Sequence, residues 1–277
     1  MITIISSSPL KKVKSYENVF MFTKKQYEHL KILADITDSV STINKISWGS
    51  DIRGFIYRNR YKISKEEVNI FMSISHDWNK IHYDKAAAEA SPIGLIALPG
   101  MLTGSLIFYA VESIFDNANN VYYKEQSFNF LKPMIAETYY TIQISELRRN
   151  QQNIWLEIEV FDDRKVIAIL GKALVSKSPG GHIVGASYPT IMAGFVFSRI
   201  LGTRFPGHGT VYRQQSILFN DDILFQNKYI AKLNILKEKT IKSNHLIKLK
   251  TEIYGENDNS PVVFGTAEIV RNEIPSD

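Results

Sequence analysis

The sequence predicts an α+β protein made of two related halves, each a long apolar helix followed by an antiparallel sheet. Two apolar segments of helical character, at 101–115 and 191–205, each begin shortly after a proline, which is favoured at helix starts. Segments of alternating apolar and polar residues follow each helix, and this alternation is typical of half-buried strands. No alternating βαβ pattern is present, so a doubly wound parallel sheet is disfavoured.

An internal repeat supports the two halves. "PGMLTG" (99–104) matches "PTIMAG" (189–194), "VYYKEQSFNFLKP" (121–133) matches "TVYRQQSILFNDD" (210–222), and "GKALV" (171–175) matches "GTAEIV" (265–270). The three matches occur in the same order, and a regular spacing of related segments is the signature of a duplicated unit. We refer to the two units as copy one and copy two.

The elements follow in order along the chain. The segment "ISKEEVNIFMSIS" (63–75) predicts a short lead-in helix, and the long helix of copy one begins at Gly100. The strands of copy one are predicted at 139–147, 154–161 and 166–175, and those of copy two at 229–237, 245–254 and 262–270.

These elements predict three domains: an N-terminal extension at 1–48, domain one at 49–176, and a degenerate domain two at 177–277. For the extension, "FTKKQYEHLKILADITDSV" (22–40) is either a plain helical extension or a displaced lead-in helix that packs on copy two.

Composition excludes several classes of site and partner. The 277 residues contain no cysteine, which excludes disulfides, thiolate metal ligands and a cysteine nucleophile. No apolar run is long enough to span a bilayer, and the first residues lack the pattern of a secretory signal, so we expect a cytoplasmic protein. The net charge of +5 is scattered, which predicts a weak attraction to anions such as phosphate-bearing cofactors or acidic carrier proteins, and no nucleic-acid partner.

A polar cluster occurs in copy one and has no counterpart in copy two. Asp77, Asn79, His82 and Asp84 lie within eight positions, shortly before the helix that begins at Gly100. A carboxylate and an imidazole on one loop can transfer protons near neutral pH, and the first backbone N–H groups of a helix favour negative charge. The plainer alternatives are that Asp77 and Asn79 are turn or cap residues, that His82 is merely packed, and that Gly100 only begins the helix. Asp84 is predicted to cap the following "KAAAEA" turn.

Residues 75–84, "SHDWNKIHYD", resemble the pattern S-G-D-x-N-P-x-H-x-D of the MaoC-like hydratases and dehydratases, and 99–101, "PGM", resemble their H-G-M. The resemblance covers about 49–270. It implies a double hot-dog fold, in which a sheet wraps around a long helix in each half, and acyl thioester substrates. Three residues depart from the family pattern, namely His76 for Gly, Lys80 for Pro and Pro99 for His. Because of them, the resemblance does not fix the catalytic rate or the range of substrates.

The resemblance also implies the roles of individual residues. Asp77 and His82 match the catalytic pair, Asn79 orients them, and Gly100 at the helix start supplies a backbone donor to the substrate oxygen. Met101 follows in the same motif and is a further predicted substrate-binding residue.

Aromatic and histidine residues near these motifs are predicted with less specificity. Trp78 and Tyr83 are candidates for lining an acyl pocket, with ordinary packing as the alternative. His76, His182 and His208 are predicted to be structural or exposed, and the histidine spacing indicates no metal site. No cofactor is predicted.

The predicted function is that of a hydro-lyase acting on trans-2-enoyl or (R)-3-hydroxyacyl thioesters of coenzyme A or acyl carrier protein, in fatty-acid, polyhydroxyalkanoate or polyketide metabolism. A hot-dog thioesterase and a non-catalytic acyl-binding or partner protein remain the alternatives. Copy two is predicted to have lost catalysis and kept a covering role. The predicted assembly is a monomeric pseudo-dimer or a homodimer.

Overall fold

The structure is a computed structural model that describes residues 15–21, 56–115, 121–177, 187–220 and 227–272. The described part of the chain contains ten strands and four α-helices. The strands are β1 (Ser15–Met21), β2 (Ile56–Lys62), β3 (Val121–Phe130), β4 (Tyr139–Arg149), β5 (Asn153–Asp162), β6 (Ile167–Lys177), β7 (Val211–Phe219), β8 (Lys228–Ile241), β9 (Asn244–Gly255) and β10 (Val263–Asn272). The helices are α1 (Lys65–Ser75), α2 (Lys85–Glu89), α3 (Gly100–Ser113) and α4 (Ser187–Arg199), with a 3₁₀ turn at Lys80–His82 and a π-helical turn at Ile200–Arg204.

The ten strands form one antiparallel sheet in the order β1-β8-β9-β10-β7-β3-β6-β5-β4-β2. Each copy contributes five strands, and the two halves of the order correspond strand for strand. Pairing of β3 with β7, centred on Ser127 opposite Ser216, joins the halves edge to edge. The predicted α+β class, with a long helix and a set of antiparallel strands in each copy, is therefore observed, and the two predicted sheets are continuous.

The outermost strand of copy two comes from the start of the chain. Strand β1 pairs with β8 from Ser15 opposite Asn234 to Met21 opposite Lys228, and β2 pairs with β4 in the same way in copy one. Copy two is thus discontinuous in sequence. Strand β1 lies inside the predicted extension 1–48, whereas the helix predicted at 22–40 lies outside the described residues. The predicted boundaries at 48 and 176 stay predictions.

The central helices α3 and α4 pack against each other, one from each copy. Nine of the 14 residues of α3 are buried and none is exposed, as expected for a largely apolar helix at the centre of the fold. Gly194 of α4 packs on the Met101 side chain, and a Cβ atom there would lie 2.6 Å from Cε of Met101, so that side chain would have to move. Phe71 of α1 meets Phe195 of α4 edge to face, with ring centroids 5.2 Å apart, and fixes α1 on the same core.

Helix α1 and the segment after it deliver the polar cluster to this core. A capping box begins α1, since the Ser64 hydroxyl accepts from the Glu67 N–H and the Glu67 carboxylate accepts from the Ser64 N–H. The helix ends at His76, whose backbone is left-handed with φ of 57°. Further along, the Asp84 carboxylate accepts from the Ala87 N–H at 3.0 Å and caps α2, so the cap predicted at this residue is confirmed.

Candidate active site

A cavity of about 420 Å³ lies at one end of the central strands and is lined by both copies. Its walls combine the polar cluster of copy one, the start of α3 and the loop after β3 with residues from α4, β7, β9 and β10 of copy two. The lining residues that matter below are Asp77, Asn79, His82, Gly100, Phe130, Lys132, Ser198, Gly202, Thr210, Tyr212 and Arg213. Asp77 is the one carboxylate among the lining residues in the described ranges.

Asp77 and His82 face each other at this cavity. Nε2 of His82 lies 3.8 Å from Oδ2 of Asp77, and both side chains are almost fully buried, at 6% and 3% exposure. This separation is too long for a direct hydrogen bond. It lets both atoms contact one water oxygen at about 2.8 Å. The loop thus brings an acid–base pair to a common point.

The tautomer of His82 follows from its second ring nitrogen. Nδ1 lies 2.7 Å from the Ala97 carbonyl oxygen, which can only accept, so Nδ1 carries the proton. In the neutral ring Nε2 is therefore unprotonated and available as a base, on the side that faces Asp77.

Burial shifts both members of the pair toward their neutral forms. Desolvation raises the pKa of Asp77 above its ordinary 3.8, opposed by the nearby His82 and by the Ser198 hydroxyl. Desolvation lowers the pKa of His82 below its ordinary 6.5, opposed by Asp77. His82 is consequently a neutral base at neutral pH.

Copy two holds the Asp77 carboxylate in place. The Ser198 hydroxyl of α4 donates to Oδ2 of Asp77 at 2.5 Å. On the other side, a Cβ atom at Gly202 would lie 2.2 Å from Oδ1 of Asp77, so only glycine fits there. Gly202 belongs to the π-helical turn that continues α4, a feature that often occurs at functional sites.

The loop before β7 binds Asn79 at both ends of its amide. Nδ2 of Asn79 donates to the Thr210 carbonyl oxygen at 2.9 Å, and Oδ1 accepts from the Gly209 N–H at 2.9 Å. Next to it, the Lys80 N–H donates to Nδ1 of His208 at 3.3 Å. Asn79 therefore anchors the loop 76–84 of copy one to copy two, and His208 has the structural contact expected of it.

The start of α3 forms the opposite wall. Pro99 is the N-cap, and its carbonyl oxygen accepts from the N–H groups of Leu102 and Thr103. The N–H of Gly100 precedes these and has no carbonyl to bind within the helix. A Cβ atom at Gly100 would lie 3.2 Å from Cδ2 of Tyr212, so glycine keeps this wall open. The helix dipole and an N–H without an intrahelical partner make it a site for negative charge.

Three predicted substrate-binding residues are not brought to the cavity. Met101 is completely buried between α3 and α4, where it packs on Gly194. Trp78 and Tyr83 are 44% and 48% exposed and do not line the cavity. Trp78 lies outside the cavity because buried and exposed residues alternate along 75–80. This alternation turns Asp77 and Asn79 inward and Trp78 outward.

Comparison with known proteins points to one family of domains. Residues 53–160 match the family model described as "MaoC like domain". This part of the chain is similar to that family. A 3-hydroxyacyl-[acyl-carrier-protein] dehydratase, mitochondrial, from Arabidopsis thaliana is 28% identical over 81 residues. That match covers 29% of this chain and 47% of the relative, so the chain spans about half the length of the curated relative that it matches.

Solved structures extend the likeness beyond residues 53–160 to most of the chain. A MaoC domain protein from Chloroflexus aurantiacus superposes with a TM-score of 0.64 at 8% identity, covering 84% of this chain and 99% of that one. A MaoC-like dehydratase gives 0.58 at 10% identity, covering 78% and 98%. An acyl-CoA thioesterase II from Mycobacterium marinum gives 0.51 at 6% identity, covering 65% and 92%. These likenesses concern the fold, and the predicted double hot-dog fold is confirmed.

Two searches of the described residues gave negative results. No described helix combines the length and apolar character required to cross a bilayer. Within the same ranges, no three or more histidine and acidic side chains are grouped as metal ligands would be.

Proposed function

We propose that the protein is a hydro-lyase that adds water to trans-2-enoyl thioesters, or removes it from (R)-3-hydroxyacyl thioesters. The observation that carries the proposal is the 3.8 Å separation of Asp77 Oδ2 and His82 Nε2 in a buried cavity that also reaches Gly100. Proton transfer and stabilisation of a negative oxygen, the two requirements of this reaction, meet in one space.

The proposed hydration proceeds between these two walls. A water held by Asp77 and His82 loses a proton to the pair while its oxygen bonds to C3 of the substrate. The electron pair of the C2=C3 bond moves toward C1, and the thioester oxygen gains negative charge beside the Gly100 N–H. The pair then returns one proton to C2, which restores the thioester carbonyl and completes the addition of H and OH. Dehydration is the same sequence reversed.

The substrate in this proposal is carried on coenzyme A or acyl carrier protein. Lys132 and Arg213 are exposed residues that line the cavity, and they offer positive charge to a phosphate-bearing carrier. The matched relative from Arabidopsis is named for an acyl-carrier-protein substrate. A role in fatty-acid, polyhydroxyalkanoate or polyketide metabolism, a cytoplasmic location, and a monomeric pseudo-dimer or a homodimer belong to the same proposal.

The residues that depart from the family pattern do not line the cavity. His76 and Lys80 are exposed, and neither they nor Pro99 lines the cavity. This favours an active enzyme over a non-catalytic acyl-binding protein. A thioesterase is less favoured because α3 has no carboxylate before Glu112, and Asp77 is held beside His82 on the preceding loop.

Incubation with crotonyl-CoA and longer enoyl thioesters tests the proposal. We expect loss of the conjugated enoyl absorbance without release of free thiol, and an (R)-3-hydroxyacyl product. Asp77→Asn and His82→Ala should each lower kcat by about 10³-fold or more, since acid–base catalysis contributes roughly 10²–10⁴-fold.

Asp84→Asn is the matched control on the same loop. It is the same carboxylate-to-amide change, and asparagine also caps helices well, so full activity is expected. Free thiol release by the wild type indicates a thioesterase instead, and full activity in both Asp77→Asn and His82→Ala contradicts the assigned pair.

A further inference from the structure

Tyr212 of copy two places an unpaired hydroxyl in the candidate active site. It lies on β7 and lines the cavity, yet its Oη atom is buried and has no hydrogen-bond partner in the described part of the chain. Leaving such a group unpaired in the folded protein is unfavourable. A hydroxyl kept at this cost inside a binding cavity points to a partner that arrives with the ligand.

The tyrosine ring is fixed between the two walls of the site. Its Cδ2 atom is 3.2 Å from where a Cβ atom on Gly100 would be, and its ring lies 5.8 Å from that of Phe130. The charge of Asp77 reaches its hydroxyl and, together with the larger effect of burial, raises the pKa of Tyr212 well above 10.0. The hydroxyl therefore keeps its proton and can act only as a neutral donor or acceptor.

We propose that the Tyr212 hydroxyl donates a hydrogen bond to the thioester carbonyl oxygen, as a second donor beside the Gly100 N–H. The proposal rests on the function proposed above and deepens it, because it assigns to copy two a group that touches the substrate. The Tyr212 ring packs on Gly100 and both residues line the cavity, so the ring lies beside the start of α3, where the substrate oxygen is proposed to bind. As negative charge develops on that oxygen, a preorganised donor in a buried site stabilises it.

The repeat supplies an internal control for this residue. Tyr123 on β3 is the counterpart of Tyr212, and its hydroxyl is also buried and without a partner among the described residues. Tyr123 does not line the cavity; its ring packs edge to face on Phe108 and Phe219, at 5.0 and 6.2 Å. The two tyrosines therefore differ in access to the ligand while sharing the same local chemistry.

The test compares Tyr212→Phe with Tyr123→Phe. Each change removes an unpaired buried hydroxyl, so neither should lower the thermal stability. We expect Tyr212→Phe to lower kcat for crotonyl-CoA by about 10²-fold with little change in KM, as for loss of one oxyanion donor. Tyr123→Phe should have the same kcat as the wild type. The pH dependence of kcat in both variants should also match that of the wild type. Equal kcat in the wild type and Tyr212→Phe overturns the proposal.

A second measurement does not depend on turnover. An enoyl thioester conjugated to an electron-rich aryl group, such as 4-(dimethylamino)cinnamoyl-CoA, absorbs at longer wavelength when its carbonyl is polarised. We expect wild type, Asp77→Asn and Tyr123→Phe to give the same red shift, and Tyr212→Phe a smaller one. If the protein gives this pattern of red shifts but does not hydrate enoyl thioesters, the Tyr212 contact is supported and the proposed hydratase activity is wrong. A full red shift in Tyr212→Phe overturns the contact, whatever its kcat.

Discussion

The Ser198 hydroxyl of copy two donates a 2.5 Å hydrogen bond to Oδ2 of Asp77 in copy one, across 121 positions of sequence. Both residues are buried, at 2% exposure each. The same carboxylate oxygen lies 3.8 Å from Nε2 of His82. The atom that we propose to contact the reacting water is therefore oriented by the other half of the molecule, and copy two does more than cover the cavity.

Removing this hydroxyl should weaken catalysis without unfolding the protein. Ser198→Ala deprives a buried carboxylate of a donor that holds down the pKa of Asp77, so that pKa rises further and less of the carboxylate is ionised. We expect kcat/KM to fall on the order of tenfold to a hundredfold, since a hydrogen bond to a charged group contributes about 1.5–3 kcal/mol. The acid limb of the pH profile should move to higher pH.

Ser105→Ala is the control for this change. The Ser105 hydroxyl of α3 donates to the Met101 carbonyl oxygen and does not line the cavity, so its loss should leave kcat/KM unchanged. Equal effects of the two alanines contradict the role given to Ser198.

Gly202 provides a steric test of the same carboxylate. A methyl group there overlaps Oδ1 of Asp77 at 2.2 Å and crowds Cβ of Asn79 at 3.1 Å, so Gly202→Ala has to displace the catalytic loop. A displacement of about 1 Å in a catalytic group costs roughly 10²-fold in rate, and we expect at least that loss in steady-state kcat.

Gly104→Ala is the matched change in α3. Its added methyl group meets Met101 Cε at an ordinary 3.6 Å, so activity should persist and stability should rise by about 0.5–1 kcal/mol. Normal turnover in Gly202→Ala, alongside intact folding by circular dichroism, contradicts the proposed placement of Asp77.

The acid limb of kcat/KM should lie below pH 6.5. His82 must be neutral to accept a proton from water, and burial lowers its pKa from 6.5, so the active form persists as the pH falls through that value. Asp77 must be ionised to contribute its charge, and burial raises its pKa above 3.8. As the pH falls, activity should therefore be lost before the pH reaches 3.8. The limb reports the coupled pair rather than either residue alone. A limb centred above pH 6.5, measured with crotonyl-CoA, contradicts the protonation states assigned to the pair.

The residues that sequence analysis found are those whose chemistry is local. Asp77, Asn79 and His82 lie within six positions, and the capped helix before them and the glycine at the start of α3 are visible as short motifs. The alternation along this loop also distinguishes the inward Asp77 from the outward Trp78. That alternation belongs to the folded backbone and cannot be read from a loop sequence. The sequence therefore predicts Trp78 as a substrate-binding residue, whereas the structure places it outside the cavity.

The residues that sequence analysis missed act through non-local contacts. Ser198, Gly202 and Thr210 reach Asp77 and Asn79 only because β3 pairs with β7 and brings α4 beside α3. One signal was present, since Ser198 directly follows the apolar run 191–197, and a polar group buried in such a helix needs a partner. No comparable signal existed for β1, whose seven residues pair with a strand near the other end of the chain.

His76 offers a test of backbone strain at the loop that carries Asp77. Its φ of 57° is left-handed, a conformation that costs a residue with a Cβ atom about 1–2 kcal/mol. The family pattern has glycine at this position, which the backbone explains. His76→Gly should raise the free energy of unfolding by about 1 kcal/mol in urea titrations, while His76→Ala, which keeps the strained Cβ, should not. Equal free energies of unfolding in the two variants contradict the proposal that backbone strain at His76 destabilises the fold.

Lys132 and Arg213 test the proposed attraction to a phosphate-bearing carrier. Both are exposed and line the cavity from opposite copies. Exposed charge pairs contribute up to about 1 kcal/mol each, so the double alanine variant should raise KM for crotonyl-CoA on the order of tenfold, with kcat retained. The N-acetylcysteamine thioester has no phosphate, and its KM should not change.

Alanines at Lys239 and Lys248, two exposed lysines outside the cavity lining, remove the same net charge and should leave KM for crotonyl-CoA unaltered. If this control pair raises KM as much as the first, the attraction depends on overall charge rather than on the cavity, and Lys132 and Arg213 have no specific role in binding the carrier.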